Sequence, residues 1–213
     1  FFDGAKSYAS LPLCLKLKKD VPIITHVDVT TTNTTTGTMD VKWVKPLADP
    51  ILGLDTILFP PPYKYELFRS PGFTGPTTLV NTVTAASYTA LTANSFSDNA
   101  LNTDGTPYVY RLDFYSNNAL VCQTRSASSV YLTLASSDNT LALSWNFNVP
   151  WNNYLYHIYK EIPTSSSNWV LIDSTTAQIY LDDSLVNGST YCYYVEAFGQ
   201  YSDTALPSPL RNR

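Results

Sequence analysis

The sequence predicts an all-β chain of two β-sandwiches in tandem, and three observations carry that prediction. The composition suits strands: 213 residues include 16 Tyr, 14 Pro and one Met, and Glu occurs only at positions 66, 161 and 196. Helix-rich domains draw on Glu, Lys, Ala and Leu, whereas β-branched and aromatic residues fit pleated sheets. Apolar residues alternate with polar ones in short runs broken by Gly, Pro, Asn and Asp, the pattern of half-buried strands. Finally, "GTPYVYRLDFY" (Gly105–Tyr115) returns position by position as "GSTYCYYVEAF" (Gly188–Phe198), 83 residues later. A fixed offset of that kind marks a repeated module.

The elements follow in order. In the first copy Ile23, Thr25, Val27 and Val29 are expected to share one strand face, and the turn "TNTTTG" follows them. Next come Met39, Val41 and Trp43, then Tyr63, Tyr65 and Leu67, and later Tyr108, Tyr110, Leu112 and Phe114. The second copy offers Leu141, Leu143, Trp145 and Phe147, then Tyr154, Tyr156 and Ile158, then Tyr191, Tyr193, Val195 and Ala197. Period two places each set on one side of its strand, as a two-sheet sandwich requires. "YELFR" (Tyr65–Arg69) and "YHIYK" (Tyr156–Lys160) are counterparts, as are Trp43 and Trp145. The expected modules are residues 20–128 and 129–213, joined at "SASS" (Ser126–Ser129), a join short enough to couple them closely. Residues 1–19 read as the tail of a preceding module, because "FFDGAKSYASLPLC" follows the pattern of "AFGQYSDTALPSPL".

Bulk properties exclude several functions. The net charge is −4 and the one basic run is "KLKK", Lys16–Lys19, so no nucleic-acid-binding face is expected. No apolar run reaches the length of a membrane span, so the segment is not expected to insert in a membrane. No basic start followed by a long apolar stretch opens the chain, which leads to the expectation that it begins inside a longer protein.

No catalytic residues, cofactor or metal are expected. His26 and His157 fall on the off-beat of their strands with no Cys, His or acid cluster beside them in sequence, and none of the common hydrolase, phosphate-loop or dinucleotide motifs occurs. The three Glu supply no obvious pair of catalytic carboxylates. "SDNALNTDG" (Ser97–Gly105) gathers Asp98, Asn99, Asn102 and Asp104, and two readings stay open. Oxygen ligands at short spacing can hold calcium, and Asx side chains also build turns. The stretch between Trp43 and Tyr65 is about twice as long as its counterpart and carries Ile51, Leu52, Leu54, Ile57, Leu58 and Phe59. Either it packs back onto a sandwich or it forms a partner-binding patch, since such residues rarely stay solvated together.

An early-strand Trp, a mid-strand Tyr and the run Leu101-x-x-x-Gly105-x-x-Tyr108-x-Tyr110 together resemble the fibronectin type III sandwich. The second copy has Leu185, Gly188, Tyr191 and Tyr193. The resemblance implies that Tyr108 and Tyr191 are buried tyrosine corners whose hydroxyls bond to backbone upstream. A fold this widely used says little about function.

A narrower resemblance rests on "KKDVPIITHVDVT", "LDTI…PPPYKYELFRS" and "YCYYVEAFGQYS…LPSPL". These look like modules of gliding-motility-associated, type IX-secreted surface proteins of Bacteroidetes-type bacteria. That likeness implies a non-catalytic extracellular or outer-surface segment that spaces, stiffens or presents other domains of its polypeptide. The alternative readings are a recognition module that binds a surface glycan or protein through the Trp43–Tyr65 insert or exposed aromatics, and an ancillary domain of a secreted hydrolase. The same likeness implies O-glycosylation at Asp-Ser/Thr sites, which marks Thr56, Ser174, Ser184 and Thr204, and gives the two Asn sequons at Asn33 and Asn187 little weight. A secreted context also favours disulfides. Cys192 is expected to point outward and to pair with a cysteine beyond Arg213, and Cys14 with one before Phe1, so that Cys122 stands outside the scheme. The rival arrangement is Cys14 with Cys122.

Overall fold

A computed structural model describes residues 21–47, 53–161, 168–202, 206 and 208–213. The expected module tail at 1–19 with Cys14, and also Ile51, Leu52 and Thr204, lie outside the described residues.

Every regular element among the described residues is a strand. β1 (Ile23–Thr31), β2 (Gly37–Val44) and β5 (Ser95–Leu101) form one layer of the first sandwich. β3 (Tyr63–Pro71), β4 (Thr78–Ala85), β6 (Tyr108–Ser116) and β7 (Ala119–Gln123) form the other, in the order β4-β3-β6-β7, with β8 (Ala127–Ser128) also paired to β6. The second sandwich repeats the plan. β9 (Tyr131–Ser137), β10 (Thr140–Asn146) and β13 (Ile179–Asp182) make its three-stranded layer. β11 (Asn152–Glu161), β12 (Trp169–Thr175), β14 (Tyr193–Gln200) and β15 (Leu210–Asn212) make the four-stranded one.

The two layers do not end at the module boundary. β15 lies antiparallel to β14 on one side and parallel to β1 on the other, so a single seven-stranded sheet runs β12-β11-β14-β15-β1-β2-β5 through both sandwiches. Paired residues point to the same side of a sheet, and the register aligns Ala197, Asn212, Val27 and Val41 in one row. All four are buried. Both cores therefore sit on the same face of the shared sheet, and modules consecutive in sequence pack side by side.

Alternation holds where strands are regular. Met39, Val41 and Trp43, then Tyr63, Tyr65 and Leu67, then Tyr108, Tyr110, Leu112 and Phe114 all reach the first core, and Leu143, Trp145, Tyr156, Ile158, Val195 and Ala197 form the second. It fails where a bulge shifts the register, because one extra residue moves every later side chain to the other face. A shift between Ile24 and His26 puts Ile24, not Ile23, in the core beside the buried Thr25. A shift between Asn153 and Leu155 leaves Tyr154 exposed. Tyr191 precedes β14 and is only half-buried.

Candidate functional site

Among the described residues, the seam between the sandwiches combines a strand ladder, ion pairs and buried aromatic packing. Its spine is β15, whose backbone exchange with β1 is extended by Val29 N–H to Arg213 O (2.9 Å) and Arg213 N–H to Val27 O (3.3 Å). On the outer face Arg211 donates Nη2 (2.7 Å) and Nε (3.1 Å) to Asp28 of the first sandwich. Its Nη1 reaches Glu196 of the second at 3.0 Å. One guanidinium thus ties carboxylates from both modules, the planar fork being suited to that. Arg213 donates Nε and Nη2 to Val29 O at 3.0 and 2.7 Å and lies over the Tyr194 ring at 4.9 Å. Tyr194 in turn stacks on Tyr159, centroids 4.5 Å apart, and meets Trp169 edge-on. This ladder leads from edge strand β12 to β1.

The inner side of the seam is packed. Trp151 and Leu210 come from the second module but belong to the first core. Trp151 rests against Gly199, where a Cβ would come within 2.3 Å of its Cδ1 and 2.7 Å of the Asn152 carbonyl. Its Nε1 donates to Asn153 Oδ1, Asn153 Nδ2 to Asn212 Oδ1, and Asn212 Nδ2 to Ser128 O. Tyr201 packs edge-on against Trp151 and donates its hydroxyl to Ile24 O at 3.1 Å. At "SASS", where the sequence places the join, Ser128 and Ser129 are buried, and Ser128 exchanges backbone and hydroxyl bonds with Asn148.

Each sandwich also carries the same internal cluster. In the first, Asp98 on β5 accepts from both Arg69 on β3 (2.9 Å to each oxygen) and the Tyr110 hydroxyl on β6 (3.0 Å). Arg69 also lies over the ring of Tyr108, 5.6 Å from its centroid. In the second, Asp182 accepts from Lys160 (2.8 Å) and from the Tyr193 hydroxyl (2.7 Å), and Lys160 sits 4.6 Å over Tyr191. Burial, then the neighbouring Asp98, push the Tyr110 phenol well above its ordinary range; burial, then the bond to Asp182, raise that of Tyr193. Both phenols are hydrogen-bond donors and not acids. Tyr108 and Tyr191 close the motif, their hydroxyls accepting from Asn102 N–H (3.2 Å) and Val186 N–H (3.0 Å).

Asp98, on β5, is thereby committed to Arg69 and Tyr110, while the Asn102 carboxamide oxygen accepts from Gly105 N–H at 3.0 Å, which makes Asn102–Gly105 a turn. Among the described residues no group of three His, Cys, Asp or Glu is placed to hold a metal ion, and no helix is long and apolar enough to cross a membrane. In the long insert Leu54 is buried in the first core and Phe59 packs against it, whereas Ile57 and Leu58 are exposed. The turn between them is held by the Asp55 carboxylate, which accepts from Ile57 and Leu58 N–H. Thr56, Ser174 and Ser184 are exposed. The two histidines are half-buried: His157 packs on Phe198, ring centroids 4.7 Å apart, and burial foremost lowers the pKa of His26.

Between the sandwiches opens a cleft of about 840 Å³, lined from the first by Thr31, Thr103 and Asp104 and from the second by Leu132, Leu134 and Cys192. Cys192 is exposed, and burial, then the Glu161 carboxylate, raise its thiol above the ordinary value. Such a thiol is a poor nucleophile at neutral pH.

Sequence reasoning missed the seam residues Asp28, Trp151, Arg211 and Arg213. The available signal was "SPLRNR", whose Leu210 and Asn212 alternate with arginines as strand residues do.

The strand order defines, by itself, a pair of fibronectin type III-like β-sandwiches. Solved structures with some likeness include the FN1–FN3 domains of chicken CNTN1, at 12% identity and TM-score 0.33, covering 92% of this chain. The chain spans 64% of that structure's length. A chain of a cytokine receptor complex matches at 13% identity and TM-score 0.35, covering 90% of this chain and 96% of its own. No protein-family model and no curated protein matches the sequence.

Proposed function

We propose that the chain is a non-catalytic, extracellular segment that stiffens and presents other parts of a secreted or surface-anchored bacterial protein, of the gliding-motility-associated, type IX-secreted kind. The observation that supports the stiffening role is the shared seven-stranded sheet, and the rest of the reading rests on the sequence resemblance. Tandem domains move relative to one another unless their interface is large and apolar. Here the interface includes a strand ladder, a Trp plug and an arginine bridging two carboxylates. Side-by-side packing favours stiffening and presentation over reach. The modules divide near residue 128/129 in this reading. Cys192 is exposed and so accessible to a cysteine beyond Arg213, and Thr56, Ser174 and Ser184 are exposed, as O-glycosylation requires.

The test is alignment in solution. Residual dipolar couplings from both sandwiches should fit one alignment tensor, and small-angle scattering should fit one rigid envelope. Two independent tensors in the wild-type chain would remove the basis for the reading.

A further inference from the structure

We propose that the free edge of β9, facing the cleft between the sandwiches, is a docking edge for an extended polypeptide strand of a partner protein, of the same type as β15. The argument comes from comparing the first strand of each module. Taking Trp43 and Trp145 as equivalent, Val27, opposite Val41, corresponds to Leu134, opposite Leu143. Both positions point to their cores. Val27 is 0% exposed, and β15 pairs with it through Asn212. Leu134 is 48% exposed, and β9 has β10 as its one neighbour among the described strands. The second sandwich thus leaves open the place that an added strand fills in the first.

The space for such a strand exists. Leu132 and Leu134 line the cleft of about 840 Å³, and a new strand runs less than 5 Å from its neighbour. An unpaired edge offers its N–H and C=O groups as a template, and main-chain bonds supply the affinity while alternate side chains set the specificity. The internal precedent indicates what those side chains are. β15 turns Leu210 and Asn212 inward and Arg211 outward to Asp28 and Glu196. The cleft is lined by the carboxylates of Asp104 and Glu161 against the one guanidinium of Arg213. A strand with an apolar inward residue and basic outward ones suits it, and a flat, polar or acidic strand does not.

The probe is a synthetic peptide with the sequence of Leu206–Arg213, added at up to about millimolar concentration to the whole 213-residue chain. Backbone amide exchange is followed residue by residue. The expected result is roughly tenfold slower exchange at alternate amides of Leu132–Ser136, because amides that join a ladder open less often. Leu134→Glu, at a half-exposed position that keeps the fold as judged by circular dichroism, should weaken binding about tenfold or more by putting a charge under the added strand. Leu181→Glu, on the exposed edge strand β13, should change nothing. Absence of protection on β9, protection that survives Leu134→Glu, or equal protection of β5, β12 and β13 would each overturn the proposal. None of these outcomes bears on the rigidity of the seam.

Discussion

The two sandwiches share a plan but not a share of the apolar interior. Among the described residues the first core gathers nineteen buried side chains and the second six. Part of the difference is lent by the second module itself, whose Trp151 and Leu210 are buried in the first core. Meanwhile the second leaves Val170, Leu171, Ile179, Leu181 and Val186 exposed. Burial stabilises by about 25 cal/mol per Å² of apolar surface, so the second sandwich has much less to set against its chain entropy. On this comparison the seam should hold the second module folded as well as in place. Equivalent strands in a repeat need not be equivalent in energy.

The severest way to break this comparison is to separate the modules. Residues 21–128 alone should unfold cooperatively. Residues 129–213 alone should show little cooperative unfolding, since a domain of this size buries too small a fraction of its surface to spare the part lent out. Denaturant titrations of both pieces check this. A stable, cooperative second piece would mean that the small core suffices.

A narrower cut leaves the chain whole. Gly199→Val drives a side chain into Trp151 and the Asn152 carbonyl, and the Trp has no free volume to retreat into because it belongs to the first core. Expelling it forfeits a buried indole, which costs about 3–5 kcal/mol. One unfolding transition should split into two, with the second sandwich lost first. Calorimetry shows whether it does.

The repeated cluster sharpens the comparison from within. Asp98 is more deeply buried than Asp182 and accepts from an Arg through both oxygens, whereas Asp182 accepts from a Lys. Removing one partner of a buried pair leaves an uncompensated charge, so Asp98→Ala should cost about 3–5 kcal/mol. Asp182→Ala should cost about 1–3 kcal/mol, nearer the loss of a charge-assisted hydrogen bond. The Tyr→Phe pair follows in the same order. Tyr108→Phe removes the acceptor for Asn102 N–H at a buried site and should cost about 1 kcal/mol, with Tyr191→Phe less because that ring is half-exposed. Equal costs in the two modules, read from urea midpoints, would show that exposure does not set the scale here.

How much of this could be read beforehand depends on where the information lies. Regular strands declared themselves, because a period of two is local: Tyr63 to Leu67 and Tyr108 to Phe114 need no distant partner to be recognised. Bulged strands did not, since Thr25 and Tyr154 break the period for reasons set by pairing across the sheet. The tyrosine corners were legible from Leu101, Gly105 and Tyr108 at fixed spacing, and the hydroxyl bonds are where that motif requires them. The cation on Asp98 and Asp182 was half legible. Arg69 and Lys160 stood in the matched segments, yet only the fold brings β3 to β5 and β11 to β13. The seam was legible only as a strand: the alternation in "SPLRNR" marks one, but parallel pairing of Val27 with Asn212 joins residues at opposite ends of the described chain, so no local pattern names its partner.

The smallest expected effect lies beside that seam. His26 sits next to Asp28 in β1 and opposite Arg211 in the shared sheet. Its pKa is lowered from 6.5, first by burial and then by Arg211 and Lys42, with Asp28 acting the other way. The folded state therefore holds the neutral imidazole more readily than the unfolded state does. Between the two pKa values the unfolded chain binds more protons, so stability rises with pH there. The contribution is full above 6.5 and is lost as pH falls from that value through the lower folded pKa. Urea midpoints should accordingly be lower at about pH 5.5 than at about pH 7.5, a window above the ordinary titration of Asp and Glu. His26→Gln keeps a polar side chain of similar reach and has no proton to gain, so it should flatten that slope while leaving the midpoint at the higher pH nearly unchanged. A slope that survives the substitution would assign the pH dependence to another group. A midpoint that rises on acidification would mean that Asp28 outweighs burial and the arginine, reversing the order of forces at the seam.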